Sequence, residues 1–281
     1  MNDTTSTPDP SSPRIVFVGA GNMASALIGG LIARGTAPAS LQAIDPSASQ
    51  REALSARFGI TTHIASGDHV GQANVIVLAV KPQQMHEAVK ALTPQIAGQL
   101  IVSVAAGVRA TDLSRWLGGY SRIVRTMPNT PALIGLGATG LAMLAGGTDA
   151  DRRLAESIMQ AVGQTVWVDD ESLLDAVTAL SGSGPAYVFR FIESMIAAGI
   201  GLGLSPEQSC QLALQTVSGA AQLACASSEP VAILRERVTS KGGTTAAALS
   251  VFEARGLDAL VAQAMGAARD RSAELGDEFG Q

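Results

Sequence analysis

Three features of the sequence predict an α/β chain in which a doubly wound parallel sheet is followed by an all-helical domain. Short apolar runs alternate with helical patterns from Arg14 to about Val168. A glycine triplet stands where the first run gives way to a helix. After Val168 no strand pattern follows. The expected domains are 14–168 for the sheet and 169–281 for the helices, with the boundary near Asp169–Glu171.

The first thirteen residues, MNDTTSTPDPSSP, are too polar to bury a core. They lack the basic start and apolar run of a secretory signal. Ile15–Ala33 carries no charge and is long enough on paper to span a membrane. Its four glycines, Asn22, Ser25 and a change of period midway split it instead. RIVFV reads as a buried strand and Asn22–Arg34 as a helix closed by Gly35. No transmembrane helix is expected. The further strands are LQAID, NVIVLAV, QLIVSVA, SRIVRTM, ATGLAML and TVWV. Helices are expected over Ser47–Phe58, Gln83–Leu92, Thr111–Leu117 and Ala150–Val162, with Gly59, Gly118 and Gly163 at C-cap positions. The second half shows helical patterns near 171–180, 185–203, 206–226, 230–237, 244–255 and 257–275. Several are apolar almost all round and rich in small residues, as in SMIAAGIGLGL and SGAAQLACASS. Such helices need burial on more than one side, which a second copy of the chain supplies.

Composition removes several classes of function. A net charge of −5 gives no general attraction to nucleic acid or anionic lipid. Aromatic residues make up 4% of the chain, too few for base-stacking platforms. The two cysteines, Cys210 and Cys225, fall in helical patterns and read as small buried hydrophobes, which suits a reducing cytoplasm. The three histidines, His63, His69 and His86, show no metal-ligand spacing. No G-x-S-x-G elbow is present. Gly184-Pro185 opens a helix in LSGSGPAYVF, so Ser181 and Ser183 read as turn or capping residues.

The motifs that remain point to a dinucleotide. VGAGNMASA places Gly19-x-Gly21-x-x-Ala24 between a strand and a helix, the context a Rossmann-type phosphate turn requires. Gly19 allows the turn, Gly21 admits a pyrophosphate to the backbone, and Ala24 permits close helix–strand packing. Asp45 ends the second strand at the distance where an acid bonds an adenosine ribose. An N-cap or surface role before PSAS explains it equally, and the residues leave both readings open. Lys81 and Pro82 in LAVKPQQ, and VAAGV at Val104–Val108, end strands on the crevice side of such a sheet. A solvated loop lysine is the alternative for Lys81. RTMPNTP, Arg125–Pro131, reads as a rigid proline-bounded turn that shapes a cleft wall. Near the C-terminus, VTSKGGTTAAAL presents a helix start with hydroxyls, Lys241 and no carboxylate of its own. A hydride transfer without histidine suits an already protonated imine, which needs no proton donor for the product.

Taken in order, VGAGNMASAL, LAVKPQ, VSVAAGV, RTMPNTPA, LSGSGPAYVF and VTSKGGTTAAAL make the chain resemble pyrroline-5-carboxylate reductase from about Arg14 to Leu275. The resemblance implies hydride transfer from NADPH or NADH to the C=N bond of 1-pyrroline-5-carboxylate, giving L-proline, the last step of proline biosynthesis. It implies a cytoplasmic homodimer or dimer-based ring whose helical domain binds substrate and dimerises. It places Gly19, Ala20, Gly21, Asn22, Met23, Asp45, Ala79, Val80, Lys81, Pro82, Ala105, Ala106 and Gly107 around the dinucleotide. It implies that the backbone around Ser240, Gly243 and Thr244 holds the substrate carboxylate and that the hydroxyl of a catalytic Thr245 bonds the imine nitrogen. No metal is implied. Two departures matter. Lys241 stands where many members have proline, and Asp45 where members that prefer NADPH often offer a hydroxyl or a base. Two rivals are a 3-hydroxyacid dehydrogenase relative and a dinucleotide-sensing binding protein. The first needs a lysine opening a long helix of the helical domain, where only Lys241 is available. The second has no DNA-reading helix or interaction tail to support it.

Overall fold

The computed structural model describes residues 13–281. The polar stretch before Pro13 lies outside the described residues. Eight strands form one sheet: β1 (Ile15–Val18), β2 (Leu41–Ile44), β3 (Thr61–His63), β4 (Val75–Leu78), β5 (Leu100–Ser103), β6 (Ile123–Met127), β7 (Gly137–Met143) and β8 (Gly163–Trp167). Their order is β3-β2-β1-β4-β5-β6-β7-β8, so the chain reverses direction across the sheet beside β1. That reversal opens the crevice at the strand C-termini where dinucleotides bind in such sheets.

The connecting helices are α1 (Asn22–Ala33), α2 (Ala48–Phe58), α3 (Asp68–Gly71), α4 (Pro82–Leu92), α5 (Ala110–Trp116) and α6 (Asp149–Gln160). Strands β1, β4, β5 and β6 are buried along their whole length. Alternate residues feed two cores. Ile15, Phe17, Val75, Val77, Leu100 and Val102 join one cluster, while Val16, Val18, Ile76, Leu78 and Ile101 join the other. Apolar side chains on both faces are what a sheet covered by helices on both sides demands.

Two expectations need correction. The sheet is not wholly parallel, because β6 and β7 pair antiparallel. Only a 3₁₀ turn, Thr130–Ile134, separates them, and a parallel crossover needs a longer connection. Gly163 does not cap a helix; it opens β8, where an added Cβ would fall 2.0 Å from the Gly137 carbonyl oxygen. The described residues form two compact units. The first runs through Ser183 and includes Ala268–Gln281; the second is Gly184–Ala267. The short α7 (Leu173–Val177) packs on the sheet: Leu174 is fully buried in a cluster with Met127 and Ala142. A π turn over Thr178–Gly182 follows it, closed by the Ser183 N–H on the Thr178 carbonyl.

The second unit contains α8 (Gly184–Gly201), α9 (Pro206–Ala226), α10 (Val231–Arg237) and α11 (Thr244–Ala254). The final helix, α12 (Leu257–Phe279), begins in this unit and ends in the first. Pro206 and a Ser205–Gln208 capping box start α9. Small residues bring α8 and α9 together, since a Cβ on Gly199 would lie 2.9 Å from Ser209 Oγ. Many large apolar side chains of this unit remain exposed, among them Phe189, Leu212, Leu223 and Leu260. Cys225 is exposed and Cys210 half-buried, so the single chain does not bury them as the sequence reading expected. Among the described residues, no helix is long and apolar enough to cross a membrane.

Candidate active site

The phosphate end is built where β1 stops. Gly19 has φ +103°, and a Cβ there would lie 2.6 Å from the Ala79 carbonyl oxygen, so both conformation and space require glycine. Gly21 is the N-cap of α1, and the space beside its Cα is open. The first intrahelical bond runs from the Ser25 N–H to the Gly21 carbonyl, leaving the N–H groups of Asn22 and Met23 at a helix start without acidic residues. Ala24 is fully buried, as the packing reading of the third motif position requires.

Asp45 is bonded to backbone on both carboxylate oxygens. Its Oδ2 accepts from the Ala20 N–H (2.9 Å) and its Oδ1 from the Ser47 N–H (2.8 Å). It thereby ties the glycine turn after β1 to the turn after β2. Ser47, not Asp45, is the N-cap of α2. The Arg51 Nη1 donates to the Asp45 and Pro46 carbonyls and fastens the same turn from the helix side. A carboxylate has about four acceptor sites, so two backbone bonds leave Asp45 able to accept from a ribose hydroxyl as well.

A cleft of about 660 Å³ opens beside this turn. Gly19, Ile44, Asp45, Ile64, Val80 and Gln84 are among its walls, and the charged side chains lining it are Asp45 and Glu87. That size, with apolar walls and few polar groups, is typical of a small-molecule site. Ile64 escaped the sequence reading because β3 is short and polar, with no apolar run to mark it. The loop that carries Ile64 is bracketed by His63 and His69, whose rings stack 3.7 Å apart and 7° from parallel. His63 Nε2 pairs with Gln42 Oε1 (2.8 Å), and burial lowers the pKa of both imidazoles below the usual value. Neutral rings stack; two imidazolium ions at that spacing would repel. Among the described residues, no cluster of three or more histidines, cysteines and acids is placed to hold a metal.

After β4 the chain passes through Ala79 and Val80 to Lys81, the exposed N-cap of α4, with Pro82 at its first position. The Ala79 N–H bonds the Val18 carbonyl (2.8 Å), which sets this turn against the end of β1. After β5 come Ala105 and Ala106, then Gly107 at φ +73°. Glu171 anchors the far side of that loop: its Oε1 accepts from the Ala110 N–H (2.7 Å) and from Arg125 Nη1 (3.0 Å). The Arg125 side chain is 4% exposed, so the pair supplies a buried guanidinium with the charge it needs. Nothing in the sequence around Glu171 marks this partnership. The RTMPNTP turn is fastened by Asn129, whose Oδ1 accepts from the Ala138 N–H and whose Nδ2 donates to the Ser181 carbonyl. The Ser181 hydroxyl donates back to the Val177 carbonyl, in keeping with a turn residue.

Gly19–Met23, Asp45, Ala79–Pro82 and Ala105–Gly107 thus all belong to the first unit, at the C-terminal ends of β1, β2, β4 and β5. Ser240, Gly243, Thr244 and Thr245 gather on one turn of the second unit. Gly242 takes φ +72° there, and the Gly243 N–H donates to the Ser240 carbonyl (3.0 Å). Gly243 then acts as the N-cap of α11 without offering a side chain, and the first turn of α11 holds no acid. The first-turn N–H groups of α11, beside the Thr244 and Thr245 hydroxyls, suit an anion. Lys241 lies exposed on the same turn and adds positive charge.

Residues 171–275 match the family model described as pyrroline-5-carboxylate reductase dimerisation, and residues 14–107 match NADP oxidoreductase coenzyme F420-dependent. The chain is 50% identical over 272 residues to a pyrroline-5-carboxylate reductase of Pseudomonas aeruginosa, covering 96% of this chain and 100% of that one. The structure of a pyrroline-5-carboxylate reductase from Coxiella burnetii superposes with a TM-score of 0.91 at 40% identity, over 94% of this chain and 99% of that one. The pyrroline carboxylate reductase of Plasmodium falciparum, solved with NADP bound, gives 0.82 at 30% identity, over 94% and 98% of the two chains. The chain belongs to the pyrroline-5-carboxylate reductase family.

Proposed function

We propose that the protein reduces the C=N bond of 1-pyrroline-5-carboxylate with NADPH or NADH, releasing L-proline. The observation that carries this reading is the pairing, in one chain, of a glycine turn open to a dinucleotide with an uncapped, acid-free helix start that suits a small carboxylate. The first unit fits the cofactor: a Cβ at Gly19 would strike backbone, the space at Gly21 is open, and the cleft beside Asp45 has the volume of a small-molecule site. The bound nicotinamide supplies the hydride.

The protein's own residues bind and orient. The N–H groups of Asn22 and Met23 take pyrophosphate charge, and Asp45 accepts from the ribose. The Val80–Pro82 and Ala105–Gly107 turns border the cofactor along the strand ends. On the other unit, backbone around Ser240, Gly243 and Thr244 holds the carboxylate, each charge–dipole contact contributing roughly 0.3–1 kcal/mol and more when partly buried. The Thr245 hydroxyl accepts from the N–H of the protonated imine and fixes the ring face. No proton donor is needed at carbon, so orientation is the main demand on the protein. The assembly belongs to the same reading: a homodimer or ring of dimers through the helical unit, in the cytoplasm, with domains divided as substrate-binding helices after a dinucleotide-binding sheet.

The test follows cofactor absorbance with 1-pyrroline-5-carboxylate, giving NADPH and NADH in parallel, for wild type and Thr245→Ala. Oxidation by wild type is expected, with turnover lowered roughly a hundredfold in Thr245→Ala and cofactor affinity retained. Wild-type-like turnover in the variant removes Thr245 from the mechanism. No oxidation by folded wild type that still binds dinucleotide overturns the reductase reading.

A further inference from the structure

The loop after β5 has no side chain of its own at its apex, because Gly107 sits there at φ +73°. The end of α12 fills that place. A Cβ on Gly107 would lie 3.0 Å from Phe279 Cδ2 and 3.2 Å from Leu275 Cβ, so the Phe279 ring occupies the volume beside the backbone. The next residue but one, Arg109, is the N-cap of α5. Its Nη1 meets Asp277 Oδ1 at 2.7 Å, and its Nη2 donates to the Ala273 carbonyl at 3.2 Å. Gly276 makes this approach possible, since a Cβ there would lie 2.8 Å from Arg109 Nη2. Further along α5, Arg115 donates to the Gly280 carbonyl. The helix is also secured at its other edge, where the Ser272 hydroxyl donates to Asp175 Oδ1 (2.7 Å). All of these residues belong to the first unit.

We infer that the end of α12, Ser272–Phe279, is a positioning element for the cofactor loop Ala105–Gly107, with Phe279 and Arg109 as its positioning residues. The inference rests on the reading of that loop as a cofactor contact. A glycine at positive φ has no side chain to lock its height above the sheet, so neighbouring atoms must set it. Glu171 holds only the far end of the loop, at Ala110. Phe279 packs on the apex and Arg109 ties the intervening turn to the helix. A misplacement of about 1 Å at a reacting group costs up to roughly a hundredfold, which makes such a support consequential.

The experiment measures dinucleotide dissociation constants by fluorescence titration, and steady-state constants, for wild type, Phe279→Ala, Phe279→Leu and Asp277→Ala. Phe279→Ala is expected to weaken dinucleotide binding roughly tenfold while the KM for 1-pyrroline-5-carboxylate stays at the wild-type value. Phe279→Leu should restore most of the loss. Asp277→Ala removes an exposed anchor without opening the core, and roughly a threefold weakening is expected. A merely structural role predicts a lower thermal midpoint with unchanged dinucleotide affinity in the folded fraction; that result overturns the inference. The two failures are distinguishable. Wild type that binds no dinucleotide defeats the reading of the cofactor site, whereas binding that is equally tight in wild type and Asp277→Ala and Phe279→Ala defeats only the support.

Discussion

At the scale of single residues, Asp45 joins two tasks that pull on one carboxylate. It holds the Ala20 and Ser47 N–H groups on separate oxygens, and it lines the cleft proposed above to take the adenosine ribose. Asn at this position keeps the shape but offers a single acceptor oxygen, so one of the two backbone N–H groups loses its partner. Leaving such a group unsatisfied costs about 1–3 kcal/mol when it is buried, and less where water reaches it. Removing the negative charge also removes repulsion toward a 2′-phosphate. Asp45→Asn is therefore expected to weaken NADH binding roughly tenfold and to raise the NADPH-to-NADH ratio of kcat/KM. An unchanged ratio with weakened binding of both would mean that Asp45 only holds the turn. The glycine turn was legible in the sequence because its spacing is dictated by backbone geometry that few residues satisfy. Asp45's backbone bonds were not, since a terminal carboxylate of a strand has several equally good partners. Glu171 carried no signal because its partners, Ala110 and Arg125, are distant in the chain, and Ile64 carried none because it follows a short polar strand.

At the scale of elements, the start of α6 is tied to the strand beside it by one buried charge. Asp151 is 1% exposed and shares a capping box with Thr148. Arg122, just before β6, donates to both of its oxygens, with Nη2 at 2.6 Å from Oδ1. This hydrogen-bonded guanidinium lowers the Asp151 pKa from 3.8 to about 2. The folded state thus holds the proton less tightly than the unfolded chain. The linked stability is fully present above the unfolded value, and it is lost as pH falls toward about 2. Its size is about 2 kcal/mol. Asp151→Asn should lower the thermal midpoint at neutral pH, and the gap to wild type should narrow by roughly half near pH 3. A gap that stays constant with pH would show that the charge contributes nothing. Most helices of the first unit were legible to within a residue or two, because apolar period and glycine stops fix them locally. The antiparallel turn between β6 and β7 was not: local composition shows two apolar runs but not their relative direction. The polar edge strand β3 was lost for the same reason that edges are polar.

At the scale of the whole molecule, the helical unit leaves too much apolar surface bare to be complete as one chain. Phe189 is 60% exposed, Leu212 55%, Leu223 60% and Leu260 63%. Exposure of so many large apolar side chains marks an interaction surface in a folded protein. Residues 171–275 match a family model described as pyrroline-5-carboxylate reductase dimerisation, and the protein is a homo-oligomer. Leu212 and Leu223 lie eleven positions apart on α9, three helical turns, and share one face. Fully burying a leucine contributes about 1.5–3 kcal/mol; with little more than half of each still exposed, replacing both with glutamate forfeits roughly 2–3 kcal/mol in each protomer before the charges are desolvated. Because about 1.4 kcal/mol is tenfold in an equilibrium constant, Leu212→Glu with Leu223→Glu should weaken association at least roughly a hundredfold. Both side chains are exposed in the single chain, so its helicity should survive. Sedimentation velocity is expected to show a smaller species for the double variant at concentrations where wild type is associated, with circular dichroism unchanged. Wild-type thermal midpoints should rise with protein concentration, as mass action requires of a fold stabilised by its partner, and the variant should lose that dependence. An unchanged sedimentation coefficient in the double variant would place the interface on another face of the helical unit.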